Sequence, residues 1–190
     1  MASIVVAGDT SGTVTLAAPA VSGTTTLTLP TTSGTVLTSA SSVASNQLPT
    51  GSVLQVVSAN SDTQTTTTST SFVTANLSAS ITPASSSNKI LILVNTTVQV
   101  GSGGDMQATI FRGTVSGTNL ASGAAAQGLF YSTATAGSSI GYTGATMQFL
   151  DSPNTTSSTT YTVGFKTSGI TAVMQKGQTY GTITLMEIKG

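Results

Sequence analysis

The chain has 190 residues, with five Lys or Arg, five Asp or Glu, a formal net charge of zero, no His and no Cys. Neutrality removes the basic surface that nucleic acid or an anionic membrane requires. The missing His and Cys remove the usual general base near neutral pH, the commonest transition-metal ligands and any disulfide.

Serine and threonine make up about a third of the chain. With Val they suit pleated surfaces, because a branched Cβ disfavours helix, so the composition reads as folded and all-β. A surface this poor in charge gains little colloidal repulsion, and burial against further copies is the expected remedy. The opening Met1-Ala2-Ser3-Ile4-Val5-Val6 has neither the basic nor the long apolar region of a secretory signal. No stretch approaches the ~20 apolar residues of a membrane helix.

Next comes a repeat. Ser-Gly-Thr occurs at Ser11–Thr13, Ser22–Thr24 and Ser33–Thr35, eleven residues apart each time, and Leu16/Leu27 and Pro19/Pro30 keep the same spacing. Each unit reads as a Ser-Gly turn, a strand of Val or Leu alternating with Thr, and a Pro that ends it. One such strand cannot bury its own apolar face, but several winding together can, as in β-prisms and triangular helices. Residues 1–37 are therefore expected to be an N-terminal β-repeat whose strands wind together with those of other copies. Residues 38–51, ending in Pro49-Thr50-Gly51, read as a linker or a short helix over Ser39–Asn46.

From residue 52 to 190 the pattern is one of longer strands. Val53–Ser58 is apolar and short, and Ser61–Ser69 is a polar loop or edge. Phe72–Thr82 alternates through Phe72, Leu77, Ala79 and Ile81. Pro83–Asn88 is a turn, and the run Ile90–Val94 within Lys89–Val100 predicts a strand buried on both faces. Gly101–Asp105 turns the chain into Met106–Arg112. Residues 113–143 are Gly-, Ala- and Ser-rich and give no assignable element. Ala145–Asp151, Thr159–Thr167 and Gly181–Lys189 are three further strands. Roughly eight strands at this spacing predict a β-sandwich of jelly-roll type.

Chemistry-bearing residues are scarce. The carboxylates are Asp9, Asp62, Asp105, Asp151 and Glu187, no two of them close in sequence. An acid/base pair would have to be assembled by the fold. Asp9, Asp105 and Asp151 stand beside small turn residues and are expected to accept hydrogen bonds from turn backbone. Gly101-Ser102-Gly103-Gly104 lacks the Gly-Lys-Ser/Thr of a phosphate loop. Tyr131, Tyr142, Tyr161 and Tyr180 are candidates for a sugar-stacking surface, with strand or interface packing as the plainer alternative. No catalytic, cofactor-binding or metal-ligating residue is assigned, and the chain is not expected to be an enzyme.

Two sets of residues carry a family resemblance. The first is Gly8-Asp9-Thr10-Ser11-Gly12-Thr13-Val14-Thr15-Leu16 with Pro19, Thr26-Leu27-Thr28-Leu29-Pro30 and Gly34-Thr35. The second is Leu77–Pro83, Ser87–Val94, Phe149–Pro153, Thr159–Val163 and Ile183–Gly190. The first is similar to the leader of tail-fibre and other structural proteins of tailed phages, of the kind common in phages of marine bacteria. The second resembles their C-terminal jelly-roll heads of tumour-necrosis-factor and C1q type. The resemblance implies a parallel homotrimer in a virion: a fibre, spike or capsid decoration made in the host cytoplasm. Its N-terminal region would be anchored to capsid or tail proteins and its head displayed. The alternative, resting on the four Tyr and the loop-rich segment 113–143, is a receptor-recognition module binding a host-surface glycan.

Overall fold

The computed structural model describes residues 3–7, 11–17, 31, 43–123, 128–138, 140–175, 177 and 179–190. They belong to two compact units, Met1–Ser42 and Val43–Gly190.

In the first unit β1 (Ser3–Ala7) and β2 (Thr13–Ala17) form an antiparallel ribbon with Ile4 opposite Leu16 and Val6 opposite Val14. β2 is the strand expected of the first repeat, and β1 pairs with it although it stands outside the repeat. The successive side chains Ile4, Val5 and Val6 are all more than half exposed, so within its unit β1 shields neither face. The second and third repeats, residues 22–37, lie outside the described residues, and with them the expectation of a prism or triangular helix.

In the second unit, of the helix expected over Ser39–Asn46 the described part is a single 3-10 turn, Ser45–Gln47. Eleven strands follow among the described residues. They are β3 (Val53–Ser61), β4 (Thr65–Thr67), β5 (Val73–Ile81), β6 (Lys89–Val100), β7 (Asp105–Arg112) and β8 (Thr118–Asn119), then β9 (Phe130–Thr133), β10 (Ile140–Asp151), β11 (Thr159–Thr167), β12 (Ala172–Met174) and β13 (Gly181–Ile188).

These strands make two antiparallel sheets. In the first, β6 is central. β10 lies along one edge of it, while β13 and then β12 share the other edge end to end, with β3 outside β13 and β4 outside β12. In the second the order is β5-β11-β7, with β9 and β8 sharing the last edge. Counting the eight principal strands in chain order, one sheet reads 1-8-3-6 and the other 2-7-4-5, the order of a jelly roll.

Alternation drives the packing. β5 buries Ala75, Leu77, Ala79 and Ile81, β6 buries Ile90, Ile92, Val94, Val98 and Val100, and β13 buries Ile183 and Leu185. Met106, Ala108, Ile110, Tyr161, Val163 and Phe165 complete the core from the second sheet. Between Leu77 and Thr74 strand β5 carries extra residues opposite β11, and Asn76 takes up the slack at φ 54°, a left-handed conformation that Asn tolerates. Ala75, Leu77, Ala79 and Ile81 keep one face by plain alternation, and the two extra residues change the register so that Val73 pairs with Phe165.

Two expectations change. The run Ile90–Val94 is not buried on both faces: Leu91 and Leu93 point outward and are only partly covered. Residues 113–143, which gave no assignable element, contain β8, β9 and the start of β10.

Candidate functional site

Three places in the second unit gather chemistry or unsatisfied surface. The first is the end of the sandwich where Asp151 and Glu187 flank Ile90 across β10 and β13. Their parity sends both carboxylates inward, and each is almost fully buried. Asp151 accepts from Arg112 Nε at 2.8 Å, Arg112 Nη2 at 2.5 Å and the Tyr161 hydroxyl at 2.7 Å. This fork ties β10 of one sheet to β7 and β11 of the other. The hydrogen bond with Asp151 is the main reason the Arg112 guanidinium is held above its ordinary pKa. Burial, then the same carboxylate, pushes the Tyr161 hydroxyl well above the usual phenol range. The expectation that Asp151 caps turn backbone is therefore corrected: its partners are side chains distant in sequence.

Glu187 accepts from Gln55 Nε2 at 2.6 Å, Asn88 Nδ2 at 2.6 Å and Ala84 N at 2.7 Å. Burial alone would raise its pKa, but the bonds from Asn88, Gln55, Ala84 and Ser85 outweigh it and hold the carboxyl below 4.5. Beside it, a cavity of about 180 Å³ is lined by Ser45, Asn46, Leu54, Ser85, Asn88 and Lys189, among others. The Lys189 ammonium is engaged by the carbonyls of Asn46 and Leu48. Asp151, Arg112, Glu187 and Lys189 each have partners here, an arrangement that holds the fold.

The opposite end is different. Thr96 Oγ1, Asp105 Oδ1, Gln107 Oε1 and both amide atoms of Gln175 are buried without a hydrogen-bond partner among the described residues. Gln175 is fully buried and sits at φ 51°. Asp105 starts β7; its amide donates to Ser168 Oγ at 3.3 Å. The Gly101–Gly104 turn packs on the 134–137 segment, where Gly137 N donates to Ser102 Oγ at 2.8 Å.

The third place is the outer face of the first sheet, where register aligns side chains in rows. One row is Val56–Met186–Leu91–Leu150, with Val53–Ile188 beside it. Val53, Val56 and Leu150 are at least half exposed. The next rows, Ser58–Thr184–Leu93–Gln148 and Asn60–Thr182–Asn95–Thr146, turn progressively polar. The sequence signal for this band was the odd-numbered Leu of Lys89–Val100, read there as a second core face.

The tyrosines divide. Tyr161 is core, which removes it from any surface. Tyr131 pairs with Gln107 on the second sheet. Tyr142 and Tyr180 flank the polar end of the first sheet, each 66% exposed. Asp62 is exposed in the β3–β4 loop, and Asp9 lies outside the described residues. Among the described residues no three His, Cys, Asp or Glu converge as metal ligands.

The fold and its sites define an all-β sandwich of jelly-roll strand order, with buried ionic ties at one end and an apolar band on one outer face. No protein-family profile and no curated relative matches the chain. Solved structures similar to it include infectious bursal disease virus of the Gt strain, at 13% identity and a TM-score of 0.39, covering 72% of this chain and 38% of that one. The VP2 subviral particle of the same virus is 14% identical with a TM-score of 0.36, covering 70% and 39%. T=1 particles derived from it give 14% and 0.37, covering 72% and 36%. The chain thus spans less than two fifths of the length of these neighbours.

Proposed function

We propose that the chain is a virion structural protein of a tailed phage that assembles as a homotrimer. Its N-terminal region would anchor it to capsid or tail proteins, and its sandwich would form the displayed head. The resemblance of the leader and head motifs to phage structural proteins supports the virion setting.

The observation that carries assembly is the outer-face band built on Val53, Val56, Leu91, Leu150, Met186 and Ile188. Lys89 is the one charged neighbour in its rows, so neither a basic nor an acidic partner is selected, and the same face of another copy meets only the small like-charge cost of Lys89 at its margin. Covering the remaining exposed parts of Val53, Val56 and Leu150 contributes about 1 kcal/mol each. Association costs several kcal/mol or more, so the adjoining polar rows and the N-terminal region must share the interface. The ribbon of β1 and β2 fits that role, because an isolated two-stranded ribbon is marginal in water.

Native mass spectrometry of the full chain at micromolar concentration is expected to give three chains. Paired substitutions Val56→Lys and Leu150→Lys should yield a folded monomer. A wild-type monomer would sink the proposal, whereas a trimer that survives both lysines would move its interface to another face.

A further inference from the structure

Independently of assembly, we infer that the outer face of the second sheet carries a binding site for a hard cation of the calcium class, built on Asp105 and Gln107 of β7. Met106, Ala108 and Ile110 fill the core, so alternation along the strand sends Asp105 and Gln107 together to the outer face. There Asp105 Oδ1 and Gln107 Oε1 are buried, and neither has a hydrogen-bond partner among the described residues. Two acceptors, one of them charged, thus share one face at a spacing of about 7 Å along the strand.

Hydroxyls flank them. Thr133 of β9 is opposite Asp105, and its Oγ1 donates to the Gly104 carbonyl at 3.4 Å. On the other side Ser168 Oγ accepts the Asp105 amide at 3.3 Å. The set is all oxygen, from one carboxylate, one amide and two hydroxyls, and one chain supplies all of it.

The sheet holds a cation near this carboxylate and points it elsewhere. Lys166 of β11 is opposite Gln107, but its ammonium lies 4.9 Å from the centroid of the Phe72 ring. That ring packs on Phe111, toward the far end of β7 from Asp105, so Lys166 leans away. A charged oxygen removed from water and from protein donors is costly, and a bound cation offsets that cost.

The donor set selects the ion. Oxygen alone suits Ca²⁺ or Mg²⁺ over zinc and copper, which favour nitrogen and sulfur. An irregular set of mixed oxygens suits Ca²⁺, whereas Mg²⁺ demands near-ideal octahedral geometry. A single carboxylate places the affinity at the weak end of calcium sites, with a dissociation constant of about 10⁻⁴–10⁻³ M.

Thermal unfolding of the full chain in calcium chloride at about 10 mM, well above that constant, is compared with sodium chloride of equal ionic strength. Calcium is expected to raise the melting midpoint by about 3–8 °C, and magnesium chloride by less. Asp105→Asn keeps the shape of the side chain and should abolish the rise. Gln107→Glu adds a second carboxylate, so it should lower the midpoint without calcium and tighten calcium binding about tenfold. Terbium, a calcium substitute, should show tyrosine-sensitised emission that calcium displaces, because Tyr131 pairs with Gln107. Tyr131→Phe should remove the emission and keep the calcium rise, and Tyr142→Phe should change neither. The inference is overturned by no calcium rise, by an equal rise in Asp105→Asn, or by emission that survives Tyr131→Phe. It is also overturned if Gln107→Glu binds calcium no more tightly than wild type, the outcome expected if the Gln107 amide donates to Asp105 instead.

Discussion

The two ends of the sandwich handle buried polarity in opposite ways. Around Ile90, two carboxylates are buried and both are saturated: Asp151 by Arg112 and Tyr161, Glu187 by Gln55, Asn88 and Ala84. At Thr96, Asp105, Gln107 and Gln175, uncharged and charged polar atoms alike are buried with no partner among the described residues. An unpaired buried polar group costs about 1–3 kcal/mol, whereas a paired one is roughly neutral to favourable. One end therefore holds the sheets together, and the other carries a stability deficit beside the surface where Tyr142 and Tyr180 stand. A sandwich selected for stability alone would not leave its deficit at one end.

The largest expected effect lies at the saturated end. Asp151→Ala leaves the Arg112 guanidinium and the Tyr161 hydroxyl without their shared acceptor. Breaking a buried ion pair from one side costs about 3–5 kcal/mol. The Arg112 side chain is 32% exposed, so water reaches it and the low end applies, about 3 kcal/mol. For a unit of this size the melting midpoint should fall by roughly 10 °C. Asp151→Asn, which keeps an acceptor for one donor, should lose about half as much. A midpoint within a degree or two of wild type in Asp151→Ala would erase the contrast between the ends.

The second effect is a pH dependence. Glu187 has a folded pKa below its ordinary 4.5, so its contribution to stability is fully present above pH 4.5 and is lost as pH falls through the folded value. Urea unfolding between pH 7 and 3 should show a flat region and then an acid limb. One proton accounts for a slope of at most about 1.4 kcal/mol per pH unit. Glu187→Gln should be less stable at pH 7 and should flatten that limb. An identical limb in the variant would assign the acid loss to other groups.

How far these ends were legible in the sequence depends on sequence distance. Strand β11 was expected over Thr159–Thr167 and is found there, because Tyr161, Val163 and Phe165 alternate with Thr and Gly in a period-two pattern. β12, three residues long, has no room for such a pattern and is held by β6 and β4 rather than by its own sequence. Glu187 meets Gln55 from 132 residues away and Arg112 meets Asp151 from 39. No local motif encodes such pairs, so the carboxylates read as isolated. Leu91 and Leu93 misled for the opposite reason: an apolar run looks the same whether its second face meets core or awaits a partner. Tyr142 and Tyr180 were visible as candidates, but only the register of β10 and β13 on β6 sets them apart from Tyr131 and Tyr161.

The smallest effect is the sharpest in sign. Gln175→Met keeps the length of the side chain and the cost of φ 51°, because neither residue prefers that conformation. It removes the amide that has no partner. Its neighbour Thr96 Oγ1 is also unpaired, and both lie close to Gly181, where a Cβ would come within 3.0 Å of Gln175 Nε2 and 3.1 Å of Thr96 Oγ1. Replacing a buried unsatisfied polar group by an apolar one of the same shape is neutral to stabilising, so the variant should be more stable than wild type by up to about 1 kcal/mol. Gln55→Met at the other end is the matched control. It strips a 2.6 Å bond from buried Glu187 and should cost about 1–3 kcal/mol. Chemical denaturation of the two single variants compares the ends with the same replacement. Opposite signs support the contrast, and a loss of the same size at both positions would mean that the Gln175 amide is satisfied in solution and that the deficit does not exist.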